Sequence, residues 1–332
     1  MKPHIAIFMR QGNHYRLTTG GIIMFFLVLL CLSACKDKVK IEHRIVAIAN
    51  LGGAGDNGYN DVIMNGFENI YVNKDNATEM YIHIPKTKKE AQYIAEKWTR
   101  NKQDDIPTLV ILGASDYSDI ALDIISDKSI KTTTSSILLY EVDEMPASAN
   151  SVNCYTFLIS MYGPSYKAGK YVAEKGLKSP LIWLAYNDPQ LRYAASGFRD
   201  GYFKETGNET EIAYLSNDWT GYSMPDSAYR AMPEMSKKYD FLYPVMGGSN
   251  MGIFRYLREY EEGPYVAGMD VDQSRYSSKV IGNMIKHIDV VIENYVRDWV
   301  EHRVINHHNV YDTESGYVEW MPVNSSDHPI IM

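Results

Sequence analysis

Residues 45–67, IVAIANLGGAGDNGYNDVIMNGF, decide the fold. An apolar run (Ile45, Val46, Ala47, Ile48, Ala49) breaks into Gly52, Gly53, Gly55 and Gly58. Apolar residues then recur at helical spacing, with Val62, Ile63, Phe67, Ile70 and Tyr71 expected on one face. Strand, glycine turn and helix form the opening unit of a doubly wound α/β sheet, whose ligands sit where that turn lies. Inside the turn are a carboxylate, a flat aromatic and an amide: Asp56, Tyr59 and Asn60. That chemistry suits a small polar ring better than a phosphate.

Working outward, apolar runs and helical patterns alternate through the chain. Strands are expected at 45–50, 79–84, 108–112, 136–140, 181–186, 211–215, 240–245 and 264–269. Helices are expected at 89–98, 166–174, 191–203, 226–238 and 250–260. The longest apolar stripe, residues 279–300, reads as a single helix carrying Lys286. Such alternation argues for parallel sheets covered by helices. The length of 332 residues fits two domains. The two halves share a grammar and divide as 43–157 with about 270–300, and 158–269 with about 301–332. Residues 303–323 carry only weak strand signals.

The N-terminus carries a different message. Arg10 and Arg16 precede an apolar run, 22–32, too short to span a bilayer comfortably and of signal-peptide length. It ends Leu32-Ser33-Ala34-Cys35, which resembles a bacterial lipobox. This predicts a signal peptide over 1–34, lipidation of Cys35 and a charged tether over 35–42. Of three cysteines, Cys31 falls in the leader, so Cys154 is left without a disulfide partner once Cys35 is acylated.

Composition narrows the functions. A net charge of −8 argues against a nucleic-acid partner. Tyr outnumbers Phe by 26 to 9, which suits a wet, polar cleft. Residues 53–58, GAGDNG, formally satisfy the dinucleotide fingerprint. The following strand, however, ends His83-Ile84-Pro85 without the acidic ribose ligand, and Asp56 would repel pyrophosphate. The turn at 247–252, GGSNMG, is a second place of close backbone approach, and Asp270 and Asp272 end a strand. Asp270 suits hydroxyl binding better than a metal, since no third ligand is spaced for one. His302, His307 and His308 lie in a polar segment and are weak metal candidates. GxSxG, HExxH and CxxC do not occur.

Five segments in order carry a family resemblance: GGAGDNGYND (52–61), FLISMYGPSYKAGKYVAE (157–174), MGGSNMGI (246–253), VAGMDVDQS (266–274) and the stretch containing Lys286. Together they resemble the basic membrane protein family, the substrate-binding lipoproteins of ABC transporters that include bacterial purine nucleoside receptors. The similarity covers about 44–297, and the lipobox agrees with it. It implies a type I periplasmic-binding-protein fold, two doubly wound parallel-sheet lobes closing at a hinge on a nucleoside. Tyr59 stands where the family has a Phe that stacks on the base, and Trp219, in LSNDWTGY, looks like the opposing aromatic. Asp56 and Asn60 match the acidic and amide positions of the first turn. Gly248 matches the glycine turn facing the ribose, Asp270 the carboxylate on its hydroxyls and Lys286 a helix lysine near the sugar. Asp116, in GASDYSD, would reach the base edge, and Glu141 or Tyr140 stands where many members have Asp.

The resemblance implies a monomeric, lipid-anchored binding protein of the bacterial cell envelope, delivering a nucleoside to an ABC permease, with no catalysis, cofactor or metal. Tyr for Phe at 59 leaves the base open, or a sugar in its place. A sensor on the same fold and an exported enzyme acting on nucleosides or sugars are the alternatives.

Overall fold

The computed structural model describes residues 39–51, 53–113, 115–127, 134–142, 153–260 and 262–323. The expected signal peptide, Cys35 and most of the tether lie outside them. From Ile41 onward the chain is one compact unit built on two six-stranded sheets. The first follows the order β11-β5-β4-β3-β1-β2: β1 is His43–Ala49, β2 Thr78–His83, β3 Thr108–Gly113, β4 Ser135–Tyr140, β5 Asn153–Ile159 and β11 His308–Tyr311. The second follows β12-β10-β9-β8-β6-β7: β6 is Pro180–Leu184, β7 Glu211–Tyr214, β8 Phe241–Val245, β9 Tyr265–Asp270, β10 Val280–Lys286 and β12 Val318–Pro322. Every pairing is parallel except β10 with β12. Parallel strands need crossover helices, which cover both faces and leave the strands apolar throughout. The wholly buried runs β1, β3 and β4 show it.

The helices are α1 (Tyr59–Asn73), α2 (Lys88–Trp98), α3 (Ser118–Ser126), α4 (Tyr162–Glu174), α5 (Pro189–Thr206), α6 (Pro225–Lys238), α7 (Asn250–Glu259) and α8 (Ile288–Val300). In α1 the buried stripe is Ile63, Gly66, Phe67 and Ile70. Gly66 lets α8 approach, since a Cβ there would stand 3.0 Å from the Asp289 Cα. Tyr71, expected on that face, points to solvent. Among the described residues no helix is long and apolar enough to cross a membrane.

Two expectations are corrected. Residues 279–300 are not one helix: β10 ends at Lys286 and α8 begins at Ile288. A strand between two others, covered on both faces, reads as a continuous apolar run indistinguishable by periodicity from a buried helix. The lobe boundaries move accordingly. The segment 270–300 is split, with β10 in the second sheet and α8 packed on α1. The segment expected in the second lobe from 301 onward is split too, as far as residue 323, β11 joining the first sheet and β12 the second. The chain thus passes between lobes three times, after β5, after β10 and between β11 and β12.

Candidate functional site

The C-terminal ends of the strands in both sheets converge on one cleft. Asn50 follows β1, Ser115 and Asp116 follow β3, Glu141 follows β4, Tyr186 follows β6, and Asp270 and Lys286 close β9 and β10. This is where a doubly wound sheet leaves room for a ligand. The cavity volume is about 130 Å³, close to that of an engineered cavity that accepts benzene, about 150 Å³.

On the first-lobe side, the Asp56 carboxylate spends most of its hydrogen-bonding capacity on its own turn. It accepts from the backbone N–H of Gly58 (3.0 Å), Asn60 (3.0 Å) and Asp61 (3.3 Å), capping the start of α1. Burial nevertheless raises its pKa, against those three bonds. The turn so fixed sends Tyr59 and Asn60 into the cleft. Asn60 Oδ1 is buried there without a hydrogen-bond partner, and so is Glu141 Oε1. The other oxygen of Glu141 accepts from Lys286 Nζ at 2.9 Å, an ion pair between lobes whose side chains are 7% and 4% exposed. Lys286 Nζ also stands 5.3 Å from the centroid of the Tyr59 ring, a cation–π approach.

Asp270 is buried and none of the described residues donates a hydrogen bond to its carboxylate. Burial pushes its pKa up to about 6; Lys286 pulls it down, and Asp56 and Glu141 push it further up. Glu141 and Asp270 both have positive φ, +61° and +68°. Left-handed backbone costs about 1–3 kcal/mol per non-glycine residue and collects at binding sites. Here it turns two carboxylates out of their strand ends into one cavity.

The second-lobe wall is aromatic and acidic. The rings of Tyr186 and Tyr222 meet edge to face, 5.7 Å apart at 87°. Tyr186 OH donates to Asp188 Oδ2 (3.0 Å), while Asp188 Oδ1 accepts from the Gln190 N–H (2.8 Å) at the start of α5. Tyr222 comes from the 3-10 turn Trp219–Ser223, which is clamped from beneath. Buried Ser249 Oγ donates to the Gly221 carbonyl (2.7 Å) and accepts from the Met224 N–H (2.6 Å). Gly221 packs against the residue that follows β6, where any Cβ would collide with the Ala185 carbonyl.

Of the residues expected from sequence, Asp56, Tyr59, Asn60, Asp116, Asp270 and Lys286 line the cleft together. Lys286 does so from a strand end instead of a helix, and Asp116 is exposed. Trp219 does not line it: its side chain is 55% exposed, and Tyr222, three residues on, supplies the second-lobe ring. Gly248 lies outside the lining as well. It sits between the lobes, where its Cβ would be 3.4 Å from the Asp56 Cβ and 3.3 Å from the Tyr222 carbonyl oxygen. Sequence reasoning missed Tyr186, Asp188, Gln190 and Tyr222. The first three follow directly on β6, so the strand-end rule applied to every strand would have found them.

Asp272 holds its own turn, accepting from the Ser274 N–H and Asn283 Nδ2. His307 Nδ1 and His308 Nδ1 bond to the Cys154 carbonyl and Thr156 Oγ1, pinning β11 to β5. Among the described residues no three His, Cys, Asp or Glu side chains are placed to share a metal.

No protein-family model and no curated protein matches the chain by sequence. Solved structures do. One of the ABC transporter system solute-binding proteins of Aeropyrum pernix K1 superposes with a TM-score of 0.64 at 16% identity, over 83% of this chain and 76% of that one. GanP, a glucose-galactose binding protein from Geobacillus stearothermophilus, gives 0.60 at 14%, over 88% and 100%. A ribose-bound LacI family transcriptional regulator from Enterococcus faecalis V583 gives 0.57 at 15%, over 85% and 97%. The chain therefore has the type I periplasmic-binding-protein fold, shared by transport receptors and regulators alike.

Proposed function

We propose that this chain is a lipid-anchored solute-binding protein of the bacterial cell envelope that closes on a nucleoside, of the purine kind, and presents it to an ABC permease. The observation that carries the ligand class is the set of unsatisfied acceptors beside aromatic rings. Asn60 Oδ1, Glu141 Oε1 and the Asp270 carboxylate have no donors of their own, while Tyr59 from one lobe and Tyr222 from the other offer flat faces. A ribose supplies hydroxyl donors to such acceptors, and a base supplies a face to such rings. Among the described residues five carboxyls line the cleft (Asp56, Asp116, Glu141, Asp188, Asp270), and the one cation lining it, Lys286, is already engaged by Glu141. A phosphate would add charge where none is balanced, so the ligand is a nucleoside and not a nucleotide.

The small cavity favours a second reading, a free monosaccharide. Mass spectrometry of ligand released from the purified protein separates the two. A nucleoside mass, with calorimetric binding of adenosine or guanosine and not of ribose or glucose, supports the first reading. Sugar binding alone replaces it. The mass of the mature N-terminus, with a diacylglyceryl Cys35 or without it, decides the anchor.

A further inference from the structure

We propose that Asn57 is a latch between the lobes, positioning the first-lobe turn through Gln273 and Tyr276 of the second lobe whether or not a ligand is bound. Asn57 belongs to the turn that carries Asp56, Tyr59 and Asn60, and its φ is +52°. Its carbonyl accepts from Gln273 Nε2 at 2.9 Å, and its Oδ1 accepts from Tyr276 OH at 2.9 Å.

Both donors are built into the second lobe and cannot follow the first. Gln273 is 2% exposed. Its Oε1 accepts from the Met269 N–H (2.9 Å) and its own N–H donates to Asn283 Oδ1 (3.0 Å), tying it to β9 and β10. The Tyr276 ring stacks on Phe254 of α7 at 5.6 Å, and Arg275 Nη2 donates to its hydroxyl at 2.7 Å. On the other side, Asp61 Oδ2 of α1 accepts from the Asn57 N–H at 2.8 Å. Two rigid pieces thus meet at one residue, and rotation about the three crossovers would pull them apart.

Neither bond involves a group that needs a ligand for its own satisfaction, so this contact favours the closed arrangement in the empty protein. A net neutral hydrogen bond shifts such an equilibrium about five-fold. The inference stands apart from the identity of the ligand.

The test uses the ligand-free purified protein and small-angle X-ray scattering. Asn57→Gly keeps the positive φ and removes the bond to Tyr276, and Tyr276→Phe removes the same bond from the other side. Each is expected to raise the radius of gyration by a similar amount, with the unfolding midpoint preserved. The double variant is expected to open no further than the larger single effect, because both changes delete one interaction. An unchanged radius in both single variants, or a double effect equal to the sum, overturns the latch. A lowered unfolding midpoint without opening also overturns it, assigning the bond to folding. If Asn57→Gly fails to fold, Tyr276→Phe alone decides by the same measure. A failed nucleoside assignment leaves these readings untouched.

Discussion

The two turns that face each other across the cleft do the same work by different means. Within its own lobe the first-lobe turn, 53–60, is shaped by its own residues: Asp56 caps the helix that follows, and Tyr59 and Asn60 are that helix's first residues. The second-lobe turn, Trp219–Ser223, has a cap of its own, Asp218 Oδ1 accepting from the Thr220 N–H at 2.9 Å, but it is also clamped by a distant residue, Ser249 beneath Gly221. In the first turn, position along the sequence and direction in space agree, because the cap fixes where the helix begins. In the second, a 3-10 turn placed by distant partners decides which ring looks inward, and the larger ring looks out. A cap fixes where each turn begins and is readable locally, while the orientation that the Ser249 clamp gives the second turn is not.

The largest effect expected from breaking this pairing falls on the ion pair that joins the lobes. Lys286→Met removes the partner of a buried carboxylate and leaves Glu141 uncompensated. Such truncations cost about 3–5 kcal/mol. Chemical denaturation should show a loss of that size, and adding Glu141→Gln should restore much of it. If the double variant is as unstable as the single one, the pair is not what the lysine contributes.

Next comes the pH response of Asp270, which separates this carboxylate from Asp56 on the opposite turn. Its pKa is raised from the ordinary carboxylate value to about 6 by burial. A raised acid pKa means that the folded protein holds the proton more tightly than the unfolded chain. The stabilisation is therefore complete below the unfolded pKa, near 4, and is lost as the pH rises through about 6. Two pH units correspond to roughly 3 kcal/mol. Wild-type ligand-free protein should lose stability relative to Asp270→Asn between pH 4 and 7, and parallel curves would contradict the burial argument. Hydroxyl donors from a ligand favour the ionised form, so binding should strengthen over the same range.

These contrasts show where the sequence could be read and where it could not. The strand–glycine–helix opening placed β1 and α1 correctly because apolar burial and the glycine turn act on neighbouring residues. The other strands from β1 to β9 are legible as short apolar or alternating runs, except β5, even at the sheet edges where β2 and β7 lie. β10 was not, since burial on both faces erases the alternation that marks a strand. β11 and β12 have only four and five residues, and their partners β5 and β10 lie far back in the chain. Asp270 is legible because it ends a strand at the cleft, whereas Lys286 enters only through the family resemblance, as a helix residue, although it too ends a strand there. Asp56 reads from the sequence as a ligand group, although most of its acceptor capacity belongs to the cap. That role follows from the N–H groups of residues 58, 60 and 61, which the side-chain pattern does not display.

The smallest effect, and the most direct test of the two turns, is the exchange of roles between Trp219 and Tyr222. By size and by resemblance Trp219 is the stronger candidate for stacking on a base. Its exposure argues otherwise, while Tyr222 lines the cleft together with Tyr59. Tyr222→Ala should weaken binding of the co-purified ligand at least tenfold, about 1.4 kcal/mol, as should Tyr59→Ala. Trp219→Ala should change it less than twofold by isothermal calorimetry. The reverse order, with a large loss from Trp219→Ala and none from Tyr222→Ala, would mean that the 3-10 turn rotates on binding. The clamp through Ser249 opposes such a rotation, since the Gly221 carbonyl and the Met224 N–H would both have to leave it. Comparing the two substitutions in a Ser249→Ala background tells rotation from misassignment: loosening the clamp should raise the cost of Trp219→Ala only if the turn can move.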